Sequence, residues 1–196
     1  MPFILASGSP RRHELLKQVV PHFAIEVSDI EEQLNPTLQS LGEQVEDLAY
    51  QKALVIAERY PGQEPMWILG ADTMVCLGEE ALGKPQDTND AQRMLRELSE
   101  ATHEVITGMA LIQCSHPPQV YLSHAVSEVT MRKISDSEIS DYVASGEPMD
   151  KAGAYGIQGK AGAFVTQITG EYENIVGLPL QALAQLLKTA RYVHQT

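Results

Sequence analysis

Apolar positions along the chain follow two periods. Residues 3–5 form a short apolar run, Ser7-Gly8-Ser9-Pro10 interrupts it, and Leu15, Leu16, Val19 and Val20 then recur at helical spacing. This pattern predicts a strand, a tight loop and a helix over 11–20. Residues 23–27 alternate apolar and polar side chains and read as a second strand, and the polar, proline-containing stretch 29–40 reads as a loop. The longest helical pattern spans 43–60, with Val45, Leu48, Ala49, Val55 and Ile56 on one face and Pro61-Gly62 as its stop. Residues 67–71 and 74–77 are predicted to be extended, with a turn at Gly78-Glu79-Glu80, and 90–98 reads as an amphipathic helix begun near Thr88 or Asn89. The β-branched runs 105–114 and 120–133, joined by Ser115-His116-Pro117-Pro118, predict a long hairpin. A helix over 137–145, a glycine-punctuated segment over 153–162, a strand over 164–168 and a helix over 180–190 complete the chain. Strands mixed with helices, one pair of them an antiparallel hairpin, predict a mixed-sheet α/β domain.

At 196 residues the chain is about one domain long and buries a core without disulfide or metal. No linker or repeat divides it, so 1–196 reads as a single domain. With 43% hydrophobic and 20% charged residues, disordered and fibrous classes are excluded. The formal charge of −12 argues against nucleic acid and anionic membranes as partners, and leaves an anionic small molecule only where the few cations converge. No apolar run approaches the ~18 residues of a membrane span, and the N-terminus lacks the order of a secretory signal. Cys76 and Cys114 lie in apolar stretches without ligand spacing and read as buried thiols in a reducing compartment. A soluble, cytoplasmic protein is the expectation.

Four segments carry candidate chemistry. In Ser7-Gly8-Ser9-Pro10-Arg11-Arg12, Ser9 suits a helix N-cap and Pro10 the first helical position, yet two arginines follow where the helix dipole disfavours cations. Either an anion sits there, or the arginines are simply solvated. Lys52 falls on the apolar stripe of the long helix, as a snorkelling side chain or as an amine pushed into a polar site. Asp72 follows the buried run 67–71 and reads either as a turn residue or as a carboxylate at a strand end, where ligands of α/β sheets gather. Glu31 and Glu32 could supply a further carboxylate or form a solvated loop face. Gly153, Gly156 and Gly159 bring backbone close to a ligand or mark ordinary turns. His103, His116 and His124 share no ligand spacing and read as structural or exposed.

Together these segments resemble the Maf family of nucleotide pyrophosphatases. The matching residues are Leu5-Ala6-Ser7-Gly8-Ser9-Pro10-Arg11-Arg12, Glu32, Lys52, Gly70-Ala71-Asp72-Thr73, Gly83-Lys84-Pro85, residues 151–159 and Val176-Gly177-Leu178-Pro179-Leu180, in family order and nearly end to end. The resemblance implies an elongated mixed α/β fold, helices flanking the sheet, with two lobes around a cleft, as in the inosine triphosphate pyrophosphatases. It implies hydrolysis of a nucleoside triphosphate to monophosphate and pyrophosphate, dependent on a divalent metal cation, Mg²⁺ or Mn²⁺. Carried over by residue, Ser7, Ser9, Arg12, Lys52 and Lys84 would hold phosphates, Glu32 and Asp72 would bind metal, and Asp72 would accept the proton. A homodimer is the assembly its relatives suggest.

Arg11, Thr73 and Gln158 resemble the dTTP/UTP branch of that family, whereas the branch acting on 7-methyl-GTP carries tryptophan, glutamine and glutamate there. A Gln158 amide offers a donor and an acceptor to the carbonyl and N–H edge of uracil or thymine. Arg11 in place of tryptophan removes a stacking platform for a cationic purine. The expected activity is therefore dTTP and UTP hydrolysis in a housecleaning role. The alternatives are a pyrophosphatase for 7-methyl-GTP or inosine triphosphate, and a non-catalytic nucleotide-binding regulator of cell division.

Overall fold

The computed structural model describes residues 2–28, 30, 33–61 and 66–193. Its elements are β1 (Phe3–Leu5), α1 (Pro10–Leu16), β2 (Ala24–Ile25), α2 (Leu41–Ala57), β3 (Met66–Leu77), β4 (Glu80–Leu82), α3 (Thr88–Leu98), β5 (Thr102–Cys114), β6 (Gln119–Met131), α4 (Asp136–Ala144), β7 (Val165–Thr169), α5 (Tyr172–Val176) and α6 (Leu180–Thr189). Short 3₁₀ turns fill the chain between α4 and β7. The strands form one sheet in the order β2-β1-β3-β5-β6-β7, with β4 also paired to β3. β1 is parallel to β2 and β3, while β4 on β3 and β7 on β6 are antiparallel. The sheet is mixed, as the alternating patterns predict. The chain divides into two compact units: Met1–Asp72 with Thr107–Ala125 and Gly177–Thr196, and Thr73–Ile106 with Val126–Val176.

In the first unit α2 is begun by a capping box. Glu43 N–H donates to Ser40 Oγ at 3.1 Å and Ser40 N–H to Glu43 Oε2 at 3.2 Å, which satisfies two donors that a helix start leaves open. The helix ends at Ala57, a turn before the proline that was expected to stop it. Its Ala49, Ala53 and Ile56 pack on Ile4, Ile68 and Ile112 of the sheet. Two glycines let it come this close. A Cβ on Gly70 would lie 2.1 Å from the Ala49 carbonyl oxygen, and one on Gly108 would lie 2.4 Å from that of Val45. Any side chain there drives the helix off the strands. Phe3 and Trp67, which alternate with the residues facing α2, point to the other face, where Tyr192 meets both rings edge-on at 5.3 and 5.7 Å. Both faces of these strands are covered, so β1 and the first half of β3 read as unbroken apolar runs.

In the second unit α3 and α4 supply Leu95, Leu98, Ile139 and Tyr142 to a core that includes Val105, Val129 and Met131. Asp87 caps α3 by accepting from Asp90 N–H at 2.8 Å. His103 is buried in this core, its Nε2 2.8 Å from Tyr155 Oη. Burial pushes the imidazole down to about 4 from the ordinary 6.5. The unfolded chain takes up that proton below about pH 6.5 and the folded chain not until about pH 4, so stability falls as pH drops through this window, by on the order of 3 kcal/mol. Denaturant unfolding between pH 7 and pH 4 checks this: His103→Gln should flatten the slope, and identical slopes in both proteins would contradict it. Cys76 and Cys114 are buried and unbridged, with burial raising the Cys76 thiol to about 11. Among the described residues, no helix is long and apolar enough to cross a membrane.

Candidate active site

β1 ends at Leu5, and its ladder to β3 continues through Ala6 N–H to Leu69 O at 2.8 Å. Leu5 stands opposite Leu69, so the parallel register carries Ser7 alongside the part of β3 that leads into Asp72. This is the carboxyl end of a parallel strand, where open α/β sheets place ligands.

The loop after β1 is closed by its own side chains. Ser7 is buried, and its Oγ accepts from Ser9 N–H at 3.2 Å and from Arg12 Nη1 at 3.4 Å. Arg12 Nε donates to Gly177 O at 2.8 Å. His13 Nε2 lies 2.7 Å from the Ser7 carbonyl oxygen. Ser9 caps α1 as expected, with Arg12 N–H at 3.5 Å from its Oγ and Pro10 in the first turn. The helix is shorter than its pattern suggests, ending at Leu16 rather than at Val20. Of the two arginines, Arg11 is exposed and Arg12 is half-buried. The reading of both as solvated therefore fails for Arg12, whose guanidinium is held at two points in a fixed orientation.

Lys52 and Asp72 form an ion pair, with only 12% and 10% of their side chains exposed. Lys52 lies on the same face of α2 as Val45 and Ala49, the residues whose backbone rests on Gly108 and Gly70. The two glycines thus set the height at which the ammonium meets the carboxylate. Snorkelling is excluded for this lysine, because its amine is turned inward. Asp72 is neither a turn residue nor a strand end. The runs 67–71 and 74–77 are one strand, and Asp72 is within it. A buried carboxylate that would otherwise break the strand is tolerated because Lys52 supplies its countercharge.

Three further expected residues belong to the second unit. Thr73 follows Asp72 on β3 and is half-buried. Lys84 is exposed directly after Gly83, whose carbonyl accepts from Gly153 N–H at 3.1 Å. That bond ties the Lys84 turn to the glycine-rich segment. Gln158 is exposed in a tight turn closed by Gly159 N–H to Gly156 O at 3.0 Å. Glu32, expected as a metal ligand, lies outside the described residues, as does Glu31.

Among the described residues no three acidic, histidine or cysteine side chains converge on a metal-sized point. The donor chemistry nevertheless fits a hard cation. Mg²⁺ is held by one or two carboxylates with substrate phosphates and water completing its shell. Asp72, whose Oδ1 is engaged by Lys52, is the described residue that could offer a carboxylate oxygen to such an ion. His13 and the Gly177 carbonyl had no sequence signal as parts of this site, although Gly177 stood in a segment of the family pattern.

The sequence matches the family described as Maf-like protein over residues 2–190. A protein of Alkaliphilus metalliredigens named dTTP/UTP pyrophosphatase is 48% identical over 184 residues, 94% of this chain and 93% of the relative. Proteins of the same name from Hahella chejuensis, at 45% identity over 94% of this chain and 90% of the relative, and from Myxococcus xanthus, at 47% over 95% and 91%, are also similar. Among solved structures, a HAM1 protein from Coxiella burnetii superposes with a TM-score of 0.53 at 17% identity, covering 98% of this chain and 100% of that one. At that identity the likeness bears on the fold, and it agrees with the mixed α/β sheet found here.

Proposed function

The chain belongs to the Maf-like protein family, and on that premise we propose that it hydrolyses dTTP and UTP to the nucleoside monophosphate and pyrophosphate with the help of a divalent cation. The observation that carries the reading is the buried Lys52–Asp72 pair placed in register beside the Ser7–Arg12 loop. A binder of triphosphates needs the cations. It gains nothing from a carboxylate kept next to them, which repels the ligand.

In this reading Arg12, Ser7 and Ser9 hold phosphate oxygens, with Arg12 oriented by the Gly177 carbonyl. Lys52 places a second positive charge beside Asp72, and Lys84 is assigned to the phosphates by the family pattern. A divalent ion at Asp72 and Glu32 would polarise the α-phosphate and lower the pKa of the attacking water. As the water oxygen bonds to the α-phosphorus, Asp72 takes its proton and the bond to the β-phosphate oxygen breaks. Pyrophosphate leaves with its charge met by Arg12 and Lys52. Gln158 pairs with the uracil or thymine edge, while Arg11 and Thr73 complete the selection of the base. A cytoplasmic location fits the two buried, unbridged thiols.

The base assignment is tested by exchange. Gln158→Glu, Arg11→Trp and Thr73→Gln together should shift the ratio of kcat/KM for UTP and 7-methyl-GTP by at least about tenfold toward the purine, since a site that hydrogen-bonds one edge rejects another strongly. An unchanged ratio removes these positions from base selection.

A further inference from the structure

The turn that carries Gln158 is held from outside by two side chains that no part of the reading above uses. Glu147 lies just after α4, and its Oε1 accepts from Tyr142 Oη at 3.1 Å while its Oε2 lies 3.4 Å from Lys160 N–H. The same Tyr142 hydroxyl accepts from Gly156 N–H at 3.3 Å. Lys151 Nζ donates to the Glu147 carbonyl and to Asp150 Oδ1, both at 2.6 Å. Its stem then passes over Gly156.

The glycines at the two ends of the turn are there because these side chains fill the space. A Cβ on Gly159 would fall 1.8 Å from Glu147 Oε1, and one on Gly156 would fall 2.8 Å from Lys151 Cε. Ile157, between them, packs inward against the core of this unit. Gln158 is left as the residue that faces outward. Burial pushes the Tyr142 phenol well above its ordinary range, so it stays a donor to Glu147 at all working pH values.

We propose that Glu147 is a positioning residue for nucleobase selection: its carboxylate, reaching Tyr142 and Lys160 across Gly159, fixes the Gly156–Gly159 turn in the conformation that presents the Gln158 amide. The inference rests on the reading of Gln158 as the residue that pairs with the base. Both Glu147 carboxylate oxygens are engaged by Tyr142 and the turn backbone, so its loss acts on KM and selectivity rather than on the chemical step.

The test is a double-mutant cycle on selectivity. kcat and KM are measured for UTP and CTP, which differ at the edge that Gln158 reads, in wild type, Glu147→Ala, Gln158→Ala and the double variant. Misplacing a recognition group by about an ångström costs up to about a hundredfold. We expect Glu147→Ala to lower the UTP preference by about tenfold, through KM for UTP with kcat within about twofold. Gln158→Ala should lose as much, and the double variant no more than Gln158→Ala alone, because one effect runs through the other. Glu147→Gln keeps the length and one acceptor, so an intermediate loss is expected, and this variant decides the matter if the alanine form does not fold. A preference lost in Gln158→Ala but retained in both Glu147 variants overturns the inference alone, as does an additive loss in the double variant. A wild type that does not distinguish UTP from CTP, or a Gln158→Ala protein that still does, overturns the reading of Gln158 and the inference with it.

Discussion

Asp72→Asn should reduce turnover of dTTP and UTP by about 10³-fold, within the range that loss of a positioned proton acceptor produces. The amide keeps the shape of the carboxylate and can still accept from Lys52, so the strand and the helix above it stay in place. What is lost is the negative charge, and with it both proton acceptance and the anionic oxygen offered to a cation. Removing that charge also removes repulsion toward the triphosphate. Nucleotide binding, followed calorimetrically, should therefore be retained or tightened while kcat collapses. Activity within about tenfold of wild type would take Asp72 out of the chemistry.

Lys52→Met should destabilise the fold by about 3 kcal/mol, because it leaves Asp72 as a buried charge whose ion partner is gone. Pairing that substitution with Asp72→Leu should recover most of the loss or exceed it, since apolar residues of similar size spare the desolvation of both ions. The doubly substituted protein should have no turnover. Denaturant midpoints for the single and double variants give the comparison directly. A double variant no more stable than Lys52→Met would mean that the ion pair supports the fold. The expected outcome means that it is retained for its chemistry at the cost of stability.

The helices and the long hairpin were legible because their periods are strong: α3, α4 and α6 lie within one or two residues of their patterns. β3 was not, because an aspartate inside an apolar run reads as a break. Only the partner across space shows that the strand continues, and Lys52 sits twenty residues earlier on a helix. Gly70 and Gly108 fell inside predicted strands, and only the structure shows that both are places where α2 touches the sheet. The five-residue α5 (Tyr172–Val176) is too short to carry a periodic signal. Within the site, Ser7, Ser9, Arg12, Lys52 and Asp72 stood out through helix capping, the apolar stripe and the strand pattern before the family pattern joined them, and their contacts rule out a solvated Arg12 and a snorkelling Lys52. His13 and Glu147 act through a backbone carbonyl and a neighbouring turn. A side chain that works on backbone leaves no mark in a list of residue types.

On the proposed function, the carboxylate of Asp72, beside Lys52 and the Ser7–Arg12 loop, drives cleavage between the α- and β-phosphates of a pyrimidine triphosphate. The most direct test incubates the purified chain with UTP and dTTP in Mg²⁺ or Mn²⁺ and identifies the products by phosphorus NMR, with Asp72→Asn in parallel. The expected result is nucleoside monophosphate and pyrophosphate in equal amounts from the wild type, and about 10³-fold slower release of both from the variant. Release of inorganic phosphate with diphosphate as the other product, or equal turnover in both proteins, would contradict it.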